Sequence, residues 1–218
     1  MLELNLIQKI AIWALPLIFA MTLHEVAHGY VAYLLGDHTA KLSGRLTANP
    51  MKHIDLFGTV LIPLFMLTVT NFIFGWAKPI IVDSRNLRHL RRDLALVALA
   101  GPVSNLLMAL FWAMIAKIGL IAQVAGNGWF GVPLSYMGSA GVMINVVLAV
   151  LNLLPLPPLD GGNIVRNLLP ARAAHYLSLI EPYSFWILIL LLFSGLLTFL
   201  IAPPVYFLVN GIGYLFGL

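Results

Sequence analysis

The residues predict an all-α polytopic membrane protein with five to six membrane segments, one of them re-entrant, and a small β-strand or hairpin at the membrane surface. Three observations carry this. The 218 residues are 61% hydrophobic and only 9% charged, with mean hydropathy +0.97, too few charges to cover a soluble domain of that size. Apolar runs long enough to cross about 30 Å of hydrocarbon recur along the chain. The basic residues behind the net charge of +4 bracket those runs, which is membrane anchoring and not a nucleic-acid footprint.

The elements follow in chain order. The start, MLELNLIQKI, has Glu3 before Lys9 and leads directly into residues 6–35, so this first helix reads as part of the mature protein and not as a cleaved leader. Gly36 stops it. Residues 41–47 alternate in a polar stretch and predict the strand or hairpin, positioned to receive an unwound peptide by strand addition. Residues 56–75 are apolar but interrupted by Pro63. A basic loop, 78–92, precedes a helix over 93–117 containing Gly101, Pro102 and Asn105, and a further helix covers 132–154. Two apolar stretches, 182–200 and 203–216, are divided by Pro203 and Pro204 into two helices or one hairpin. With this much chain inside the membrane, residues 1–218 read as a single integral-membrane domain.

His24, Glu25 and His28 stand inside the first apolar run. On a helix turning about 100° per residue, His28 lies one turn along and about 40° round from His24, so both imidazoles can reach one metal ion. Two neutral imidazoles suit zinc and leave room for a third ligand and a water, from which Glu25 can take a proton. A glutamate near the bilayer centre otherwise costs about 2.5–3.5 kcal/mol. With no cysteine in the chain, thiolate ligands, cysteine nucleophiles and disulfides are excluded. A third donor must come from the few polar residues in apolar surroundings, and Asp160 stands out. It follows Pro155, Pro157 and Pro158 and precedes Gly161 and Gly162, a run that cannot continue a helix and suits backbone lining a cavity. The alternative is an aspartate capping the helix that begins near Gly162.

HEVAH at 24–28, AGPVSN at 100–105 and NLLPLPPLDGG at 152–162, in that order, resemble the site-2 proteases, zinc metalloproteases of the membrane interior. GRLTANP and FGWAKPI extend the likeness more weakly. The chain is most similar to the short prokaryotic branch without PDZ or CBS domains, and it departs from that pattern at Leu56, where related sequences often have proline. The resemblance implies one zinc ion per chain held by His24, His28 and Asp160, with Glu25 as general base and Asn152 assisting catalysis. Asn152, at a helix end, can donate to an oxyanion or a substrate backbone, or cap its own helix. Asn105 reads as support for the Asp160 loop, beside close packing at Gly101 and Pro102. His38, His53 and His89 fall in polar or basic stretches and read as facing solvent or headgroups, and His175 as interfacial.

Arg85, Arg88, Arg91 and Arg92 place the start of the 93–117 helix in the cytoplasm of a cell-membrane protein. The metal forms at one depth only if the first helix runs outward to inward. Residues 56–75 must then enter and leave on one side. The expected activity is hydrolysis of peptide bonds within or near the transmembrane segments of single-span membrane proteins, as in regulated intramembrane proteolysis. The lipid bilayer is the other partner, nucleic acid is not one, and homo-oligomerisation is compatible with the composition. A membrane zinc transporter or zinc-binding regulator also explains intramembrane His and Asp but gives Glu25 no purpose.

Overall fold

The computed structural model describes residues 6–62 and 77–218. Helix α1, Leu6–Leu34, is followed by a single turn, α2, Thr39–Leu42, a 3-10 turn at Pro50–Lys52 and a π-helical turn at Leu56–Leu61. After residues 77–83 and a 3-10 turn at Ser84–Asn86 come α3, Leu90–Val124, and α4, Gly128–Asn152. Then follow α5, Asp160–Leu168, α6, Ala171–Ile180, α7, Ser184–Phe193, and α8, Leu196–Phe216. Among the described residues, five spans are long and apolar enough to cross a membrane: 10–34, α3, α4, residues 171–193 and α8. The chain is a multi-pass membrane protein.

The helices are longer at their ends than the apolar pattern predicts. At about 1.5 Å per residue the 35 residues of α3 reach about 52 Å, well past the hydrocarbon layer. Its start is fixed by Asp93, fully buried, which accepts from the His89 N–H at 2.7 Å and pairs with Arg92 at 2.9 Å. Its end is set by Gly126, whose φ of 84° only a glycine adopts freely.

Helices α3 and α4 form a hairpin with backbones in near contact. A Cβ on Gly138 would strike the Ala116 backbone, one on Gly119 the Ser135 backbone, and one on Gly141 the Trp112 indole. Small residues let helices without a hydrophobic drive between them approach this closely. Met108, Ala109, Trp112, Val142, Val146 and Val150 fill the seam, and α1 packs along it. By contrast the 171–193 span is only 11% buried and α8 17%.

Three expectations are corrected. Among the described residues there is no strand. The 41–47 piece is the end of α2 and a turn closed by Gly44 at φ 66°, because Asp37 accepts from both the Thr39 N–H and hydroxyl and starts a helical turn there. Leu42 is 84% exposed, so the alternation buries no face. The break near the C-terminal end falls at Ser194–Gly195, where Gly195 has φ 75°, and Pro203 and Pro204 lie inside α8. His53 is buried, not solvent-facing. Its Nε2–H donates to Thr47 O at 2.9 Å and its carbonyl accepts from Lys78 N–H at 2.8 Å.

The path expected to re-enter, 56–75, falls mostly outside the described residues. Its flanks nevertheless meet: Asp37, at the end of α1, accepts from Asp83 N–H at 2.8 Å and Asn86 Nδ2 at 2.9 Å. The chain therefore returns to the face at which α1 ends.

Candidate metal centre

His24 and His28 lie one turn apart on α1, and α3 approaches them at Gly101. A Cβ at that position would sit 2.5 Å from both His24 Cε1 and His28 Nε2, so only a glycine admits the imidazoles. The proton positions on the two rings follow from their partners. Asn145 Nδ2 donates to Gly141 O at 2.9 Å, which turns its Oδ1 toward Asn105 Nδ2, also at 2.9 Å. Asn105 Nδ2 reaches Ala20 O as well, at 3.3 Å, so Asn105 Oδ1 faces His24 Nδ1 and accepts its proton at 2.6 Å. His28 Nδ1–H donates to Val97 O at 2.7 Å. In its neutral form each ring therefore carries its lone pair at Nε2.

Those lone pairs converge. The two Nε2 atoms are 3.0 Å apart, and Asp160 Oδ2 lies 3.2 Å from His24 Nε2 and 3.5 Å from His28 Nε2. Oδ2 is buried and has no hydrogen-bond partner. Three acceptors facing one another are costly unless a cation is shared. Their separations match the edge of about 3.3 Å between ligands of a tetrahedral zinc with bonds near 2.0–2.1 Å. The residues fit a zinc ion. Asp160 is delivered by the proline-rich turn before α5. A Cβ on Gly161 would strike the Leu153 and Leu154 carbonyls, and one on Gly162 the Leu156–Pro157 backbone, so both glycines are needed to seat α5 there. Asp160 Oδ2 thus faces the imidazoles instead of capping its helix.

Glu25 joins the same group: ligand atoms of His24, Glu25 and His28 all lie within 4.8 Å of one another. Its Oε2 accepts from Ile80 N–H at 2.9 Å. Asn152 Nδ2 donates to Leu148 O of its own helix at 3.0 Å. Asn105, expected beneath the Asp160 loop, instead carries His24. Asn145, fully buried, went unnoticed in the sequence, although an amide in an apolar helix was its signal. The contribution of Ile80 is a main-chain N–H and leaves no trace in residue type.

Comparison with known proteins adds the family. Residues 113–194 match the model of Peptidase family M50, a stretch that includes Asp160. The chain is 40% identical over 189 residues to "Putative zinc metalloprotease YwhC" of Bacillus subtilis, covering 87% of this chain and 83% of that relative. It is 26% identical to "Putative zinc metalloprotease Rip2" of Mycolicibacterium smegmatis, over 81% of this chain and 64% of the relative. No solved structure matches. At this identity and coverage, and with the motifs of the site-2 proteases in order along it, the chain belongs to peptidase family M50.

Proposed function

We propose that this chain is a zinc-dependent endopeptidase that cleaves single-span membrane proteins within or near their transmembrane segments, the activity of regulated intramembrane proteolysis. The observation that carries the reading is the meeting of three possible ligand atoms, His24 Nε2, His28 Nε2 and Asp160 Oδ2, within 3.5 Å of one another, with the Glu25 carboxylate beside them. One zinc held by His24, His28 and Asp160 would supply Lewis-acid polarisation of a peptide carbonyl and acidify water toward pKa about 7. Glu25 takes the proton of the attacking water and returns it to the leaving amine. Its Ile80 bond fixes Oε2 and leaves Oε1 for that transfer. Asn152, on leaving Leu148 O, donates to the developing oxyanion or the extended substrate backbone. A substrate helix hides its peptide bonds, so it must unwind at the site.

Of the 12 lysines and arginines, eight lie between the end of α1 and the first turn of α3, Arg166 and Arg172 follow the end of α4, and Lys9 and Lys117 lie elsewhere. The positive-inside rule assigns the end of α1 and the start of α3, and the metal site with them, to the cytoplasmic side of the cell membrane.

The deciding experiment uses purified protein in detergent with a panel of single-span membrane proteins, comparing Glu25→Gln and Asp160→Ala with wild type. Glu25→Gln should keep its zinc and lose cleavage by at least about 100-fold. Asp160→Ala should lose zinc as His24→Ala does. A transporter or zinc-binding regulator predicts no cleavage by wild type, and full zinc in Asp160→Ala moves the third ligand elsewhere.

A further inference from the structure

Residues 77–83 run past the candidate site as a strap with neither helical nor strand structure. Four hydrogen bonds tie it down. Lys78 N–H donates to His53 O at 2.8 Å, and Pro79 O accepts from Arg45 Nη1 at 3.0 Å. Ile80 N–H donates to Glu25 Oε2 at 2.9 Å, and Asp83 N–H donates to Asp37 Oδ2 at 2.8 Å. The Ile80 side chain is seated over Gly29, one turn beyond Glu25 on the same face of α1; a Cβ there would lie 3.0 Å from Ile80 Cδ1. The strap therefore lies along α1, its middle against Glu25 and its far end at the residue three positions past the helix.

The two oxygens of Asp37 have separate duties. Oδ1 accepts from Thr39 N–H, the Thr39 hydroxyl and Asn86 Nδ2, which shapes the turn after α1. Oδ2 accepts from Asp83 N–H. Asp37 is fully buried, although it touches neither the imidazoles nor Glu25. We propose that the strap is the element that orients Glu25, and that Asp37 is a positioning residue acting on Glu25 through it.

A glutamate side chain has three rotatable bonds, and proton transfer needs its free oxygen within hydrogen-bond reach of the attacking water. Anchoring Oε2 to a main-chain N–H removes most of that freedom, since such charge-assisted bonds are short and directional. The N–H can hold its place only if the strap does, and Asp37 secures the strap three residues from Ile80. The proposal rests on the reading of Glu25 as proton acceptor.

Asp37→Asn separates the two duties. Its remaining oxygen can still accept from Thr39 and Asn86, while its NH2 group meets Asp83 N–H, donor against donor. Ile80→Pro deletes the N–H in the middle of the strap, the one that meets Glu25. The zinc-loaded variants and Glu25→Gln are assayed on fluorescein-labelled casein, an unstructured protein that needs no unwinding. The expected result for Asp37→Asn and Ile80→Pro is kcat lower by about 10–100-fold with KM within about threefold and zinc content unchanged. The double variant should lose no more than the more impaired single one, because both cut the same link. Hydrogen exchange of the peptide covering residues 77–83 should quicken in Asp37→Asn, a reading that stands even if the proline variant does not fold. Wild-type kcat or unchanged exchange in Asp37→Asn, additive losses, or loss of zinc overturns the proposal. If Glu25→Gln itself cleaves casein at the wild-type rate, the base assignment is what fails.

Discussion

Asn105 shows how much a single buried amide can decide. It accepts a hydrogen bond from His24 Nδ1–H and so turns Nε2 toward a metal, and its own orientation is set by Asn145 and Ala20. Replacing it by leucine preserves volume but strands the His24 N–H and Asn145 Oδ1 in apolar surroundings, at about 1–3 kcal/mol for each group. Asn105→Leu should weaken zinc binding by about 10–100-fold in chelator competition. Gly101→Ala should be harsher, because a methyl group cannot share space with the two imidazoles, and zinc content after purification should fall to the level of His24→Ala. His24, Glu25, His28 and Asp160 could be picked from the chain because metal and acid–base chemistry restrict residue type. The roles of Gly101 and Ile80 could not, since one acts by lacking a side chain and the other through its backbone.

At the scale of elements, the apolar runs located the spans of α1, α3 and α4, whereas their ends, the division between the last two spans and the polar stretch between α1 and α3 were misjudged. Alternation over 41–47 looked like a strand because side-chain pattern alone does not register the Asp37 carboxylate, four residues before the stretch begins, which captures the Thr39 amide. Burial pushes the Asp37 carboxyl up, but donation from Asn86, Thr39 and Asp83 outweighs it and holds the carboxyl below its ordinary value. The stabilisation it supplies is complete above the unfolded value of about 3.9 and is lost as the pH falls through the lower folded one. The melting temperature in detergent should therefore drop on acidification below about pH 4, and Asp37→Asn should flatten that acid limb. Pro203 and Pro204 attracted attention as a break, yet a left-handed glycine ends a helix outright, while proline can be carried within one when its neighbours tolerate the freed carbonyls. Gly195→Ala should cost about 1–2 kcal/mol, read as a lower melting temperature with zinc content unchanged.

For the whole molecule, the hydrogen bonds from Asp83 and Asn86 to Asp37 bring the stretch between α1 and α3 back to the face it left. The chain has no cysteine, so single reporters are clean. Cysteines placed at Lys41, Arg88 and Arg172 should react with an impermeant maleimide from one side of sealed vesicles, and a cysteine at Trp129, in the turn region of the α3–α4 hairpin, from the other. Labelling of Arg88 and Lys41 positions from opposite sides would contradict the shared face. This arrangement was partly legible, because the basic residues and the need for one metal depth both pointed to it; the hydrogen bonds that enforce it join residues 46 and 49 positions apart, beyond the reach of any local pattern.

The meeting of His28 with Asp160 joins two points 132 positions apart. An ion shared between them would tie a large ring in the chain, with the tightly packed α3–α4 hairpin inside it and the thinly covered 171–193 and α8 spans beyond it. In the unfolded chain, closing such a ring carries an entropic cost that grows with the logarithm of its length, so a metal that binds only the folded form holds the ring shut in proportion to its affinity. Chelation should then loosen the outer two spans first, and limited proteolysis of the metal-stripped protein should cut in the 153–170 connection while leaving the hairpin whole. The centre that breaks peptide bonds would also be the rivet that keeps the outer helices attached to the rest.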